Sequence, residues 1–141
     1  MKSIILIGGG GHCRSCIDVI EAEGKYKIAG IVNQSGGSRE QILGYDVLGD
    51  DEDLPELLKK HPNALITVGQ IKSSALRKKL FLQTQKLGFE LPTVISPRAY
   101  ISRHSSLGVG TIVMHDALVN SGAKVGNNCI LNTKSLVEHD A

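Results

Sequence analysis

From Ile101 onward an aliphatic residue returns at every sixth position: Ile101, Leu107, Val113, Val119, Val125, Leu131 and Val137. Two places before each stands a small residue: Ala99, Ser105, Thr111, Ala117, Ala123, Cys129 and Ser135. Neither the helical repeat nor the two-residue alternation of a strand generates this spacing. A triangular coil does, because each six-residue face sends one aliphatic side chain into the lumen and sets one small residue near a corner. The competing arrangement, an antiparallel meander, wants strict alternation, and Gly122, Gly126 and the Asn127-Asn128 pair would interrupt its strands. Residues 98–141 therefore read as the coils of a parallel β-helix built on hexapeptide repeats.

The grammar before Pro97 is different. Residues 4–7 form a short apolar, β-branched run followed by four glycines, Gly8 to Gly11. Ile17, Val19 and Ile20 then mark one face of a helix that Gly24 can stop. Residues 27–32 read as a second strand. Residues 51–60 read as a second helix, acidic at its start and basic at its end, as the helix dipole prefers. A strand over 64–68, a helix over 73–87 and a strand over 93–95 complete the series. Strands alternating with helices imply a parallel sheet, so residues 1–97 read as a small Rossmann-like domain. The fold class is thus α/β followed by all-β.

Composition removes several functions. A formal charge of +2 over 141 residues gives no field suited to nucleic acid, and with 4% aromatics and no Trp there is little to stack on bases. The apolar start of the chain ends at the glycines with no cleavage pattern, and no run reaches the ~20 apolar residues that a membrane span needs. Three cysteines, Cys13, Cys16 and Cys129, cannot all pair internally, so reduced thiols in a cytoplasm are expected.

Gly8, Gly9, Gly10, Gly11 and His12 lie between a strand and a helix, where backbone N–H groups and the helix dipole can receive a phosphate. The dinucleotide fingerprint G-x-G-x-x-G fails, because its last position falls on Cys13 or Arg14. Asn33 and Gln34 stand where an acidic ribose partner belongs, which argues against a nicotinamide reductase. A diphosphate sugar needs the loop but not that acid. Gly69 and Gln70, after the third strand, belong at the same carboxyl edge of the sheet, where open α/β sheets bind ligands. Cys13 and Cys16 spell C-x-x-C at a helix start, yet they follow a phosphate-type loop without flanking proline or aromatic, and read as packing residues. His12, His61, His104 and His115 show no metal-ligand spacing with the cysteines, and no metal is expected.

The last hexad places Val137 in the lumen and turns Glu138 and His139 toward an outer corner. A neutral imidazole there can take a proton from an attacking amine or hydroxyl, and the adjacent Asp140 can fix its tautomer. Asn132, seven residues earlier, falls on the preceding face and can orient a substrate.

The stretches "IILIGGGGHCRSCIDVI", "ALITVGQIKSSALRKKL" and "CILNTKSLVEHDA", together spanning both halves, resemble the sialic acid O-acetyltransferase and UDP-4-amino-sugar N-acetyltransferase family, NeuD-like and PglD-like enzymes with a left-handed β-helix. Members of that family continue for several more coils. The resemblance implies an N-terminal domain that holds a nucleotide sugar, a β-helix that assembles as a homotrimer, and acetyl-CoA as co-substrate in a groove between neighbouring β-helices. It matches the catalytic histidine to His139, the acid after it to Asp140 and an active-site asparagine to Asn132, with Glu138 beside them. Many members carry acids where this chain has Asn33 and Gln34. The expected function is acetyl transfer to the amine or hydroxyl of a nucleotide-activated or sialic-acid-like sugar. The alternative is a non-catalytic, nucleotide-sugar-binding or assembly fragment of such an enzyme.

Overall fold

A computed structural model describes residues 1–70 and 73–141; Ile71 and Lys72, within the second quoted stretch, lie outside the described residues. The chain opens with strand β1 (Lys2–Ile7), helix α1 (Gly11–Glu23), β2 (Tyr26–Val32) and β3 (Val47–Gly49). A 3-10 turn at Asp51–Asp53 then leads into α2 (Leu54–Lys60), β4 (Ala64–Ile66) and α3 (Ala75–Leu87). The four strands form one parallel sheet in the order β3-β2-β1-β4.

β1 explains how the layers are sorted. It lies between two neighbours, so both of its faces must be covered, and Ile4, Ile5, Leu6 and Ile7 are all buried. Ile4 and Leu6 point into a cluster with Ile17 and Ile20 of α1. Ile5 and Ile7 point into a second cluster with Leu54 at the start of α2 and Phe81 of α3. α1 ends where Gly24 takes a left-handed conformation (φ 71°) and its N–H bonds Ile20 O at 3.1 Å.

The remaining strands are two residues each: β5 (Val94–Ile95), β6 (Tyr100–Ile101), β7 (Ser106–Leu107), β8 (Ile112–Val113), β9 (Leu118–Val119), β10 (Lys124–Val125), β11 (Ile130–Leu131) and β12 (Leu136–Val137). β5 to β9 each pair in parallel with the strand three further on, so Ile95, Val113 and Leu131 stack in one ladder and Ile101, Val119 and Val137 in another. Partners are eighteen residues apart, which is three hexads per coil. The parallel β-helix expected from the hexads is therefore the observed architecture. Its corners share one backbone device. From Gly110 on, every sixth residue has positive φ: Gly110, Asp116, Gly122, Asn128, Lys134 and Asp140.

Two details differ from the sequence reading. The strand at Val94–Ile95 forms where expected, but it pairs with β8 and belongs to the coil, not to the α/β sheet. β3 was not foreseen, because three residues in a glycine-flanked loop carry no periodicity to read. The outward residues of the first ladder, Val94 and Ile112, are buried in the α1 cluster together with Met114, so a single core runs from the sheet into the coil.

Candidate active site

At the end of β1 the chain must leave the sheet and enter α1 within four residues. Gly8 has φ +126°, and a Cβ there would stand 2.5 Å from Val68 Cγ1, so the sharp turn against the neighbouring strand requires glycine. The turn is fixed by Gly8 N–H donating to Val32 O (2.9 Å) and Thr67 Oγ1 donating to Gly8 O (2.7 Å). Gly10 and Gly11 are different. Gly10 caps α1 at φ −85°, a value open to any residue, and a Cβ on either glycine would meet nothing within 4 Å among the described residues. Packing within the chain accounts for glycine at position 8 and not at positions 10 and 11.

Two cavities meet at Gly10 and Val68. One, of about 690 Å³, is lined by Gly10, Gly11, His12, Thr67, Val68, Gly69 and Gln70 from the α/β sheet edge and by Ile130 and Asn132 from the coil. It joins five of the glycine-loop and sheet-edge residues singled out in the sequence to the coil asparagine. The other, of about 460 Å³, is lined by Gly8, Gly9, Gly10, Asn33 and Gln34, with Asp51 opposite the exposed face of α3 formed by Leu76, Lys79, Leu80 and Gln83.

Asn33 does not present a free amide to that second cavity. Its Oδ1 accepts from Gln34 N–H (3.0 Å) and its Nδ2 donates to Ser38 O (3.1 Å), so it shapes the rim loop. Asp51, Lys79 and Gln83 were missed in the sequence. The signal was present for α3, where Leu76, Lys79, Leu80 and Gln83 recur at helical spacing with Leu76 left exposed.

His12 Nε2 lies 3.3 Å from Cys16 Sγ. Burial, helped by the neighbouring Cys13, pushes the Cys16 thiol up to about 12, and burial also raises Cys13. Both thiols stay protonated, which makes them poor redox nucleophiles and leaves packing as the reading of C-x-x-C. If the protonated Cys16 donates to Nε2, the ring proton of a neutral His12 stands on Nδ1. Burial first, and then the charge of Arg77, hold His12 below the ordinary histidine value.

The last coil is exposed. His139 Nδ1 lies 3.1 Å from Asp140 Oδ2, and Asp140 sits at a positive-φ corner. If Nδ1–H donates to that carboxylate, Nε2 is left as the acceptor, the form a general base needs. Glu138 Oε1 is engaged by Asn120 Nδ2 from one coil earlier (3.2 Å) and by the His139 N–H (3.3 Å). Glu138, His139 and Asp140 lie outside the lining of the 690 Å³ cavity, whereas Asn132 borders it. Among the described residues no group of three or more His, Cys, Asp or Glu side chains is placed to hold a metal, and no helix is long and apolar enough to cross a membrane.

A Rossmann-like sheet with a glycine loop at its carboxyl edge is joined here to a parallel β-helix through a shared cavity, and the fold is that of solved sugar acetyltransferases. Residues 3–83 match the PglD N-terminal domain, more than half of the chain, and the protein belongs to the PglD-like sugar acetyltransferase family. Over 121 residues it is 27% identical to UDP-N-acetylbacillosamine N-acetyltransferase of Bacillus subtilis (strain 168), covering 81% of this chain and 52% of that enzyme. PerB from Caulobacter crescentus, solved in complex with CoA and GDP-perosamine, superposes with a TM-score of 0.89 at 33% identity, covering 99% of this chain and 64% of PerB. The acetyltransferase domain of PglB from Neisseria gonorrhoeae FA1090, solved with acetyl coenzyme A, gives a TM-score of 0.87 at 29% identity, covering 99% and 65%. The chain thus spans about half the length of the curated relative and less than two thirds of these solved structures.

Proposed function

We propose that this chain is the nucleotide-sugar-binding part and the first coils of an acetyltransferase that moves an acetyl group from acetyl-CoA to an amine of a nucleotide-activated sugar. The α/β part before Val94 is the sugar-nucleotide unit, and the coil from Val94 onward is the acyl-transfer unit. The carrying observation is the pair Gly10 and Gly11. They border the cavity that reaches Asn132, and among the described residues no group occupies the space a side chain would take. An N-terminal helix end kept free of side chains is suited to a diphosphate. The nucleoside then lies over the Asn33–Gln34 rim beside Lys79, with the sugar in the larger cavity between His12 and Asn132.

In this reading His139 Nε2 accepts the proton as the sugar amine attacks the thioester carbonyl. An amide bond forms, the C–S bond breaks, and CoA leaves as its thiol. Asp140 holds the imidazole in the required tautomer, Glu138 is braced beside it, and Asn132 orients the acceptor. The choice of an amine over a hydroxyl rests on the relatives, named as N-acetyltransferases. The buried free thiols Cys13 and Cys16 support a reducing compartment, the cytoplasm.

A homotrimer packed through the coil is part of this reading, supported by the character of its three faces. Val94 and Ile112 on one face are covered by α1, and the third face presents Ser106 and Lys124. On the remaining face Tyr100, Leu118 and Leu136 form an in-register exposed apolar ladder, suited to a second copy. Leu118→Asp should lower the mass seen by sedimentation.

The deciding experiment is calorimetry with UDP and GDP. The parent should bind at least one of them, and Gly10→Val should weaken that binding by about tenfold or more, since a bulky side chain blocks the phosphate approach. A Gly10→Val variant that binds both nucleotides as the parent does would put the cradle elsewhere.

A further inference from the structure

Arg77, in the first turn of α3, is the bulkiest fully buried side chain among the described residues, and no carboxylate pairs with it. Its donors go to three backbone carbonyls on two segments, the end of β4 and the coil. Nη1 reaches Ile66 O (2.8 Å) at the end of β4 and Val68 O (3.1 Å), and Nε reaches Asn128 O (3.0 Å) on the coil. Asn128 answers with Nδ2 donating to Arg77 O at 3.3 Å. Nη2 finds no acceptor among the described residues.

A buried, incompletely satisfied cation is a poor way to add stability, because an apolar side chain of similar volume is often neutral or better. What the guanidinium supplies is geometry. Val68 leads into Gly69 and Gln70, and Asn128 sits at a positive-φ corner two residues before Ile130 and four before Asn132. Those are the opposite walls of the 690 Å³ cavity. We propose that Arg77 is a positioning residue of the acceptor site: its planar fork fixes the separation between the Val68–Gln70 wall and the Asn132 wall, with Asn128 as its counterpart on the coil. This rests on the acetyl-transfer reading for its purpose, though not for its geometry. The same charge reaches His12 on the third side of the cavity and helps keep that imidazole neutral. Lysine cannot replace it, since one ammonium on a flexible stem does not hold three carbonyls in a plane.

The test uses Arg77→Met, Arg77→Lys and Asn128→Gly, the last keeping the corner carbonyl and tolerating positive φ while removing the Nδ2 bond. Hydrogen exchange is read at two protected amides, Thr67 (to Ile7 O, 2.9 Å) and Asn128 (to Val109 O, 2.8 Å), against Ile5 in the sheet. Both arginine variants should raise exchange at Thr67 and Asn128 together by about tenfold relative to Ile5, and Asn128→Gly should do so more weakly. Binding of GDP-perosamine is then compared with that of GDP, and of a UDP-linked 4-amino sugar with UDP. Arg77→Met and Arg77→Lys should keep the affinity for the bare nucleotide and lose about tenfold of what the sugar adds, the scale of hydrogen bonds to a charged group. Unchanged exchange at the two walls in the arginine variants, or in Asn128→Gly should those fail to fold, overturns the positioning role. If neither sugar adds affinity in the parent, the acceptor-site reading falls, while the exchange measurement still judges Arg77.

Discussion

Leu6 and Val119 are both fully buried, but different kinds of neighbour bury them. Leu6 lies between Ile31 on β2 and Leu65 on β4, under α1, and none of these partners repeats elsewhere in the chain. Val119 lies between Ile101 and Val137, its own hexad position one coil down and one coil up. The α/β unit is specified by unique long-range contacts, and the coil by one local rule applied again and again. A chemical group in the first must be carried to its place by the whole sheet. In the second it needs only a turn in a counted series. The proposed nucleotide cradle belongs to the first kind and the His139–Asp140 pair to the second.

That contrast can be broken at several points. The largest effect is expected at the catalytic end. In a form continued through further coils, His139→Ala should lose about 10²–10⁴-fold in acetyl transfer while binding the sugar nucleotide as before, because base and cradle sit in different halves. Undiminished turnover in a steady-state assay would return His139 to an exposed surface residue.

Next comes the glycine loop. Gly8→Ala should cost about 2–3 kcal/mol in urea unfolding, through strain at positive φ and the clash with Val68. Gly10→Ala should stay within about 0.5 kcal/mol, since its Cβ meets open space. Equal losses at the two positions would remove the distinction on which the ligand reading of Gly10 rests.

A smaller difference tests the coil rule. Val119→Ala, in a fully buried layer, should lose about 2 kcal/mol, and Val137→Ala, in the half-buried last layer, about half of that. Identical losses would mean that stacking on both sides does not matter.

The smallest effect is a pH dependence from the α/β half. His12 titrates below the ordinary value of 6.5 when folded, so the unfolded chain binds its proton first. Its contribution to stability is complete above about 6.5 and declines as pH falls through the folded-state value. Denaturation midpoints at pH 7.5 and 5.5 should therefore differ less in His12→Gln than in the parent.

The coil was legible in advance because its contacts follow from counting: residue i meets residue i+18, and the sequence prints that period openly. The glycine loop was legible because few arrangements of strand, glycine and helix exist. The cavity walls were not. Lys79 and Asp51 come together only when α3 and the turn after β3 pack around the sheet edge, and no local pattern encodes that approach. Arg77 was hidden more thoroughly. In the run Arg77-Lys78-Lys79 it reads as part of a solvated helix face, and only the fold reveals that the first of the three points inward. Val94–Ile95 read correctly as a strand and was assigned to the wrong sheet, although Ile95, six before Ile101 and with Thr93 two places before it, already keeps the count that pairs it eighteen residues later.

The positive-φ corner at every sixth residue also governs how such a chain can change length. Removing one residue from any face advances every later hexad by one place, which turns Val119 or Val125 outward and brings a polar neighbour into the lumen. It also drops the left-handed corner onto a residue unsuited to it. Length can then change harmlessly only in whole coils of eighteen, or in loops that bud from a corner and return to it. In the sheet half, the long connection between β2 and β3 can absorb single insertions without disturbing any strand. Natural variants of this protein should therefore differ by arbitrary numbers of residues before Val94 and by quantised ones after it.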